Sequence, residues 1–510
     1  INATFDQLHK DIRAEIDMLT NYIVSINGRP FCTMEKFLKE TSLEEATADD
    51  ELAEMMHQLI HDFTKMKRDV SDFLVGGRSF GVIILFFLAV GEIYSVATVI
   101  GLPGSIYAKG VNYGIWFMAF LLLIYPVGYF LAPKIWRAGK TYDAMTAPDL
   151  FKSHFSSRKL ELVVAVCYLV FLVPWAQMQF QGLIVALNAL GYEIDPILAV
   201  IIAGTIAFVY ISISGVKAPA MIAVLKDILL FGAIVSVGWA AFHKLGGVEP
   251  LFAAARDQGA SIAYANQDEV VFSLSTIIFQ SMAFYCLPFM ITILFTSKSE
   301  GGIKRAKRFM PLYMLMFPFL IAAAYYAMIA IPDLKSPNHA FIATAIDVLP
   351  AWSIGFIAAG AALSGLILIS VISLSVGGIF TRNIVSNVPF ESQKRLSQIV
   401  ILVYLIVSMV LTVALPSLML NLMNTAYAGF GQMLPGLLAI LFFKRATASG
   451  VLLGLIVGIA AVFLMYFTDF SFYSVNIGLM ALALNCLTVV VVSVFTQGQE
   501  NSSYKLKADF

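Results

Sequence analysis

Glu92 stands about a dozen residues into an otherwise apolar run, one turn before Ser95 and Thr98. A charge at the centre of a membrane helix costs roughly 2.5–3.5 kcal/mol on insertion scales. Such a carboxylate either pairs with a donor or a basic residue such as Lys226 and fixes helix packing, or faces a polar cavity and binds a proton. Nine residues later Gly101-Leu102-Pro103-Gly104 interrupts the same run, and Pro174, Pro288 and the stretch 429–435 interrupt three others. Broken helices expose backbone groups, which a bilayer tolerates only where protein or a water-filled cavity satisfies them. Breaks in two helices five apart fit paired halves around a midplane site, although a single break also fits a merely kinked, packed helix. Glu54, His57 and His61 recur at i, i+3 and i+7 in a charged segment, as a metal site or as an ordinary solvated face. No phosphate-binding glycine loop followed by Lys-Ser/Thr and no nucleophile motif occurs, so the sequence suggests neither an enzyme nor ATP as the energy source. Cys32, Cys167, Cys286 and Cys486 are too scattered for a disulfide framework or a zinc site.

The elements that hold these residues are membrane helices. Of 510 residues 59% are hydrophobic and 13% charged, with a mean hydropathy of +0.83, against about 25% charged in an ordinary soluble domain. Lysine plus arginine equal aspartate plus glutamate at 33 each, which gives no hint of a nucleic-acid partner. Residues 1–72 form an aqueous amphipathic segment, with Phe5, Leu8, Ile12, Ile16, Leu19 and Ile23 at helical spacing. From residue 80 onward twelve spans are expected, at about 81–106, 112–133, 160–189, 195–214, 219–242, 271–297, 309–331, 352–380, 397–414, 418–443, 447–468 and 472–495. The reading is all-α: an aqueous segment to 72, a transmembrane domain over 73–495 and a tail over 496–510. With the N-terminus inside, twenty lysines and arginines after residue 72 fall on internal loops and the C-terminal tail, against four (Lys109, Lys244, Arg256, Lys335) outside. The positive-inside rule therefore predicts a multi-pass protein of the inner or plasma membrane with both termini cytoplasmic.

Phe73-Leu74-Val75-Gly76-Gly77-Arg78-Ser79-Phe80 resembles the glycine and arginine signature that enters the first core helix of the sodium:solute symporter family. Gly101-Leu102-Pro103-Gly104, Ala147-Pro148-Asp149, the glutamine-rich stretch 177–182, Lys226-Asp227, Phe380-Thr381-Arg382-Asn383-Ile384 and the stretch 432–435 follow in register. Gly91-Glu92-Ile93-Tyr94, Leu225-Lys226-Asp227-Ile228 and Phe380-Thr381-Arg382-Asn383 are most similar to the bacterial monocarboxylate permease branch. The resemblance implies a core of two inverted five-helix repeats, with substrate bound among the first, third, sixth and tenth spans. The substrate candidates it singles out are Thr98, Gly101, Gln177, Gln181, Gln280, Ser281, Tyr285, Tyr427 and Gln432, each of which could instead tie helices together. For the coupling ion the candidates are Glu92, Ser95, Ser373 and Ser375. Gly377 and Gly378 stand where sodium-using members are expected to carry two hydroxyls, so sodium is the family default and a proton on Glu92 the alternative. No resident cofactor is implied. Residues 1–72 resemble a fragment of a ferritin-like starvation protein (Dps), which would place Asp17 at an iron ligand with Glu54, His57 and His61 as further metal candidates, and would offer a surface for self-association.

The expected function is cation-coupled symport of a small organic solute, a monocarboxylate or similar small anion or amino acid, by alternating access. Two other readings stay open: a membrane sensor or scaffold, and an iron-binding module tethered to the membrane. The orientation is checked by labelling intact cells with an impermeant thiol reagent, which should modify a cysteine at position 338 and spare one at 299; the reverse would invert the topology. For the proton alternative, Glu92→Gln should lose pH-driven accumulation yet retain substrate exchange, because exchange needs no net proton movement. Wild-type uptake that requires sodium and ignores the pH gradient would sink that alternative.

Overall fold

In hydrocarbon a backbone must satisfy its own polar groups, which leaves helices as the open-ended solution for long apolar runs. The computed structural model of the chain describes residues 71–188, 195–214, 216–257, 259, 264–385, 388, 390–443, 445–468, 470 and 472–500. Residues 1–70, and with them Asp17, Glu54, His57 and His61, lie outside the described residues, as does the side chain of Glu92. Every regular element among the described residues is a helix.

The first expected span is split into α1 (Val82–Ile93), a π-helical turn (Ala97–Gly101) and α2 (Leu102–Lys109). Then follow α3 (Val111–Thr141), the short α4 (Ala147–Phe155), α5 (Arg158–Asn188), α6 (Pro196–Ser214), α7 (Lys217–Lys244) and the short α8 (Val248–Asp257). The sixth span is split as expected at Pro288, into α9 (Gln267–Ala283), a 3-10 turn (Phe284–Cys286) and α10 (Pro288–Thr296). The seventh joins α11 (Glu300–Phe309) to α12 (Phe317–Ala330) through a 3-10 segment, Met310–Met316. After α13 (Ala340–Val348) come α14 (Ala351–Ile379), which ends in a π-helical turn (Phe380–Ile384), and α15 (Phe390–Ala414). The tenth span is split into α16 (Met419–Phe430), a 3-10 turn (Gly431–Met433) and α17 (Leu434–Leu441), ahead of α18 (Ala448–Phe467) and α19 (Ile477–Glu500).

Nine stretches among the described residues are long and apolar enough to cross a membrane, from Val111–Thr141 to Ile477–Gln497. The three remaining sequence-assigned spans are the broken first and tenth and the shorter α6. The outer faces of the long helices are apolar: Phe130 on α3, Trp352 on α14 and Val494 on α19 are 72%, 73% and 68% exposed, a pattern that suits lipid rather than water. One expectation is corrected. Pro174 does not break the third span, because α5 runs unbroken from Arg158 to Asn188 with the proline inside it. A proline removes one amide donor, and neighbouring helices can absorb that single loss.

At one end of the bundle the motif residues form a single buried network. Gly76 and Gly77 adopt left-handed backbone (φ 61° and 63°), which glycine reaches without strain. The turn lets Arg78 Nη2 donate to Ala144 O (2.7 Å) and Gly139 O (3.3 Å) beyond and within the end of α3. Asp149 Oδ2 accepts from the Met145 and Thr146 amides (3.0 and 3.1 Å) and from Arg382 Nε (3.3 Å). Asn383, fully buried, donates through Nδ2 to Asp149 Oδ1 (2.7 Å) and Glu161 Oε1 (2.8 Å), and its Oδ1 accepts from Thr146 Oγ1 (2.7 Å). Glu161 also pairs with Arg158 (2.7 Å) and Lys152 (3.5 Å). Phe80 bridges to the end of the sixth span, accepting from Lys298 N and donating to Thr296 O, both at 3.0 Å. The first, second, third, sixth and eighth spans are thereby fastened at this end.

Burial pushes the Asp149 carboxyl up, but Arg382, the Met145 amide, Asn383 and the Thr146 amide together outweigh it and hold the group below its ordinary value. A carboxyl lowered on folding contributes stability above its unfolded value near pH 4, and that contribution is lost as pH falls through the folded value. Asn383→Ala should lower stability by on the order of 3 kcal/mol, because it strips a donor from two buried carboxylates at once. Thermal unfolding in detergent checks this, and an unchanged melting temperature would show that the network does not hold the spans. Asn338, suggested above as a probe site, is 8% exposed, so the neighbouring exposed Lys335 is the better outer position for labelling.

Candidate substrate and ion site

The break in the first span releases carbonyls that an unbroken helix would have used. Thr98 Oγ1 donates to Ile93 O (2.6 Å), and the Ser95 hydroxyl accepts from Ala97 N (3.3 Å). Tyr94 O accepts from Ser364 Oγ on α14 (3.2 Å) and from Lys226 Nζ on α7 (3.5 Å). The break is also where other spans crowd closest. A Cβ on Gly182 of α5 would overlap Val96, and one on Gly101 would come within 3.1 Å of Met419 on α16. Glycine at 182 therefore sets how near the first and third spans approach. The first, third, eighth and tenth spans meet here.

Beside this junction lies an aromatic group. The Trp175 ring on α5 is 5.4 Å from Phe289 at the start of α10 and 5.4 Å from Tyr427 on α16, whose other side meets Phe120 at 6.0 Å. Trp175 is 4% exposed and its indole Nε1 has no hydrogen-bond partner among the described residues. A buried donor left unmade is costly and marks a place for a ligand or water. Lys307 on α11, 3% exposed, carries its Nζ 5.7 and 5.3 Å from the Phe284 and Tyr285 ring centroids at the break of the sixth span. An unpartnered indole N–H among packed aromatic rings and an ammonium at the break of the sixth span are groups that suit a small anion with an apolar body.

Two cavities open at the end opposite the Asp149 network. One, of about 620 Å³, is lined by Lys109, Asn112, Asn424 and Asn476 among others; the second, of about 550 Å³, by Lys109, Gln181, His339 and Ser417. Along α5 the distance from Glu161 to Gln181 is about 30 Å at helical rise, the thickness of a hydrocarbon core.

The sequence candidates fall into two groups. Thr98 and Gly101 lie at the break, Tyr427 lies in the aromatic group and Gln177 is buried on α5. Gln181 borders a cavity, where its amide N donates to Ser417 O (2.7 Å) and its oxygen accepts from Ser417 N (2.9 Å). Gln280 Nε2 donates to Asn424 Oδ1 (2.6 Å), and its buried Oε1 has no partner among the described residues. The others are engaged in holding helices. Ser281 donates to Ile278 O (3.0 Å) within its own helix, and Tyr285 fits a notch at Gly128 and donates to Ile124 O (2.6 Å). Gln432 donates to Ala428 O (3.1 Å) and Gly478 O (3.2 Å) and accepts from Asn485 (3.2 Å), tying the tenth span to α19.

Among the ion candidates, Ser375 donates to Val371 O (3.2 Å), whereas the buried Ser373 hydroxyl has no partner among the described residues. Gly377 packs on Ser397 and Ile401 of α15, and Gly378 on Leu74 and Thr146. Both glycines lie towards the network end of α14; the first-span break is touched instead by Ser364, which donates to Tyr94 O, and by Gly365, where a Cβ would meet Val96 at 2.9 Å. Sequence reading missed Ser364, Trp175 and Phe289, although Trp175 and Phe289 each directly follow a proline within an apolar run. Among the described residues no group of three or more histidine, cysteine or acidic side chains gathers as a metal site.

Comparison with known proteins agrees with this architecture. Over 458 residues the chain is 25% identical to an uncharacterised symporter of Bacillus subtilis, YhjB, covering 85% of this chain and 93% of that protein. It is 27% identical over 445 residues to a monocarboxylate transport permease protein of Rhizobium johnstonii, covering 83% and 90%. Its fold is similar to that of a substrate-bound, outward-open Na+-coupled sialic acid symporter, with a TM-score of 0.69, 17% identity, and coverage of 85% of this chain and 93% of that one. The ferritin-like resemblance of residues 1–72 finds no support in these comparisons. The profile of the sodium:solute symporter family matches residues 73–458, and the chain belongs to that family of multi-pass membrane transporters.

Proposed function

We propose that the chain carries a small monocarboxylate across the membrane by cation-coupled alternating access, its twelve crossings forming two inverted repeats with both termini cytoplasmic. The observation that carries the reading is the position of the first-span break. It lies between cavities open at one end and a polar network closed at the other, and about two turns along α5 from Gly182, which packs on the break, is a buried indole N–H without a partner among the described residues. That is the arrangement an outward-facing carrier requires, with one path open to the site and the other shut. The carboxylate enters past Lys109, which lines both cavities, and is oriented by Trp175 Nε1 with Lys307 beneath. Its apolar body packs on Phe289 and Tyr427. The permease relative from Rhizobium supports the substrate class, and the basic-residue asymmetry supports the orientation.

The test is uptake of labelled lactate, pyruvate, acetate and alanine into proteoliposomes, with sodium and proton gradients imposed separately. Accumulation of a monocarboxylate under one gradient is the expected result, and no gradient-driven accumulation of any of these solutes would defeat the proposal. Trp175→Phe keeps the ring and removes the donor. It should weaken apparent affinity about tenfold, the equivalent of 1.4 kcal/mol or roughly one hydrogen bond to a charged group. An unchanged half-saturation concentration would remove Trp175 from the site.

A further inference from the structure

Lys226 lies about one turn into the membrane-spanning part of α7 (Ile222–Lys244) and is fully buried, an expensive position for an ammonium unless its partners are specific. Its partners are all at one place. Lys226 Nζ pairs with Asp227 Oδ1, donates to Tyr94 O at the first-span break (3.5 Å) and lies 3.0 Å from where a Cβ on Gly91 would stand. The missing side chain at Gly91 is therefore what admits the ammonium. Adjacent residues on a helix do not ordinarily face each other, so the lysine stem must fold back to reach its neighbour. Asp227 Oδ2 in turn accepts from Tyr313 OH (3.3 Å), and Tyr94 O accepts from Ser364 Oγ.

A bare monovalent cation at this junction would need several oxygens to replace its water shell. The carbonyl of Tyr94 and the Asp227 carboxylate are already committed to Lys226. On α14, the positions one turn beyond Ser364 on the same face are Ile367 and Leu368, both buried and neither with a side-chain oxygen. Placing a second positive charge against the ammonium would add repulsion in a medium of low polarity. We infer that Lys226 is a resident cation of the first-span break, an amine built into the fifth span that takes the place of a bound alkali ion there. The ammonium and Asp227 hold the end of the first half of the first span against the fifth span, with Ser364 of the eighth on the same carbonyl, and coupling to sodium, where it occurs, uses another place. The inference deepens the proposed transport function and rests on it for its physiological meaning, whereas the contacts stand without it.

Lys226→Ala removes the ammonium and leaves Asp227, the Tyr94 carbonyl and Ser364 around a cavity fit for a small cation. Purified in detergent with choline chloride, the variant should melt several degrees below the wild type. Sodium chloride or methylammonium chloride should restore a saturable part of that loss, whereas the wild type should shift with neither. The double variant Lys226→Ala/Asp227→Ala, which lacks both charges, should also respond to neither. A folded Lys226→Ala indifferent to both cations, or a double variant that responds, overturns the inference. So does a saturable sodium-dependent rise in the wild type that Ser364→Ala abolishes, a measurement that needs no folded Lys226 variant. No arm uses a transported solute, so absence of monocarboxylate uptake would count against the proposed function alone.

Discussion

A helix interrupted inside a membrane frees carbonyl oxygens that lipid cannot satisfy, and the rest of this fold is arranged around the carbonyls freed at residues 93 and 94. Thr98 reaches back to Ile93 O, while Ser364 and Lys226 converge on Tyr94 O from the eighth and fifth spans. Each oxygen left unpaired would cost several kcal/mol in hydrocarbon. The first span can therefore stay broken only while its neighbours stay docked. That requirement explains the close approach at Gly182 and Gly101, since the third and tenth spans must come within backbone distance to exclude lipid from the junction.

Much of this was legible in the sequence, for physical reasons that differ between elements. The breaks at Gly101-Leu102-Pro103-Gly104, Pro288 and 429–435 could be read because glycine and proline act locally, through φ freedom or a missing amide. Pro174 misled because the same chemistry has two outcomes, and tertiary packing of α5 selects the unbroken one. Polar residues in apolar runs were visible as candidates, but sequence does not reveal their partners. Gln432 looks like a ligand until Asn485 and Gly478 are seen against it. Gly377 and Gly378 were counted against an ion site at the break, whereas they face α15 and Thr146. The relevant absence of hydroxyls lies about three turns earlier, at Ile367 and Leu368.

The motifs that carry the family resemblance are not, for the most part, the residues proposed to touch substrate. The glycine and arginine signature, the Ala-Pro-Asp triplet and the Phe-Thr-Arg-Asn stretch meet in one polar network about 30 Å from the cavities. Carriers of different solutes could share such a network, since in the proposed mechanism it closes a path rather than selecting what travels along it.

The composition of that closure bears on how readily it opens. An apolar seal, once parted, would expose greasy surface to water at about 25 cal/mol per Å². The Asp149, Asn383, Glu161 and Arg382 contacts exchange protein partners for water molecules instead, and the net value of a typical hydrogen bond after that exchange is only about 1 kcal/mol. A latch of this kind specifies a single closed geometry without making separation prohibitive. Because Asn383 joins two carboxylates and a threonine through one amide, its displacement releases several contacts together. Under the alternating access proposed above, opening would be an all-or-none event with a modest threshold, the energy profile that repeated cycling requires.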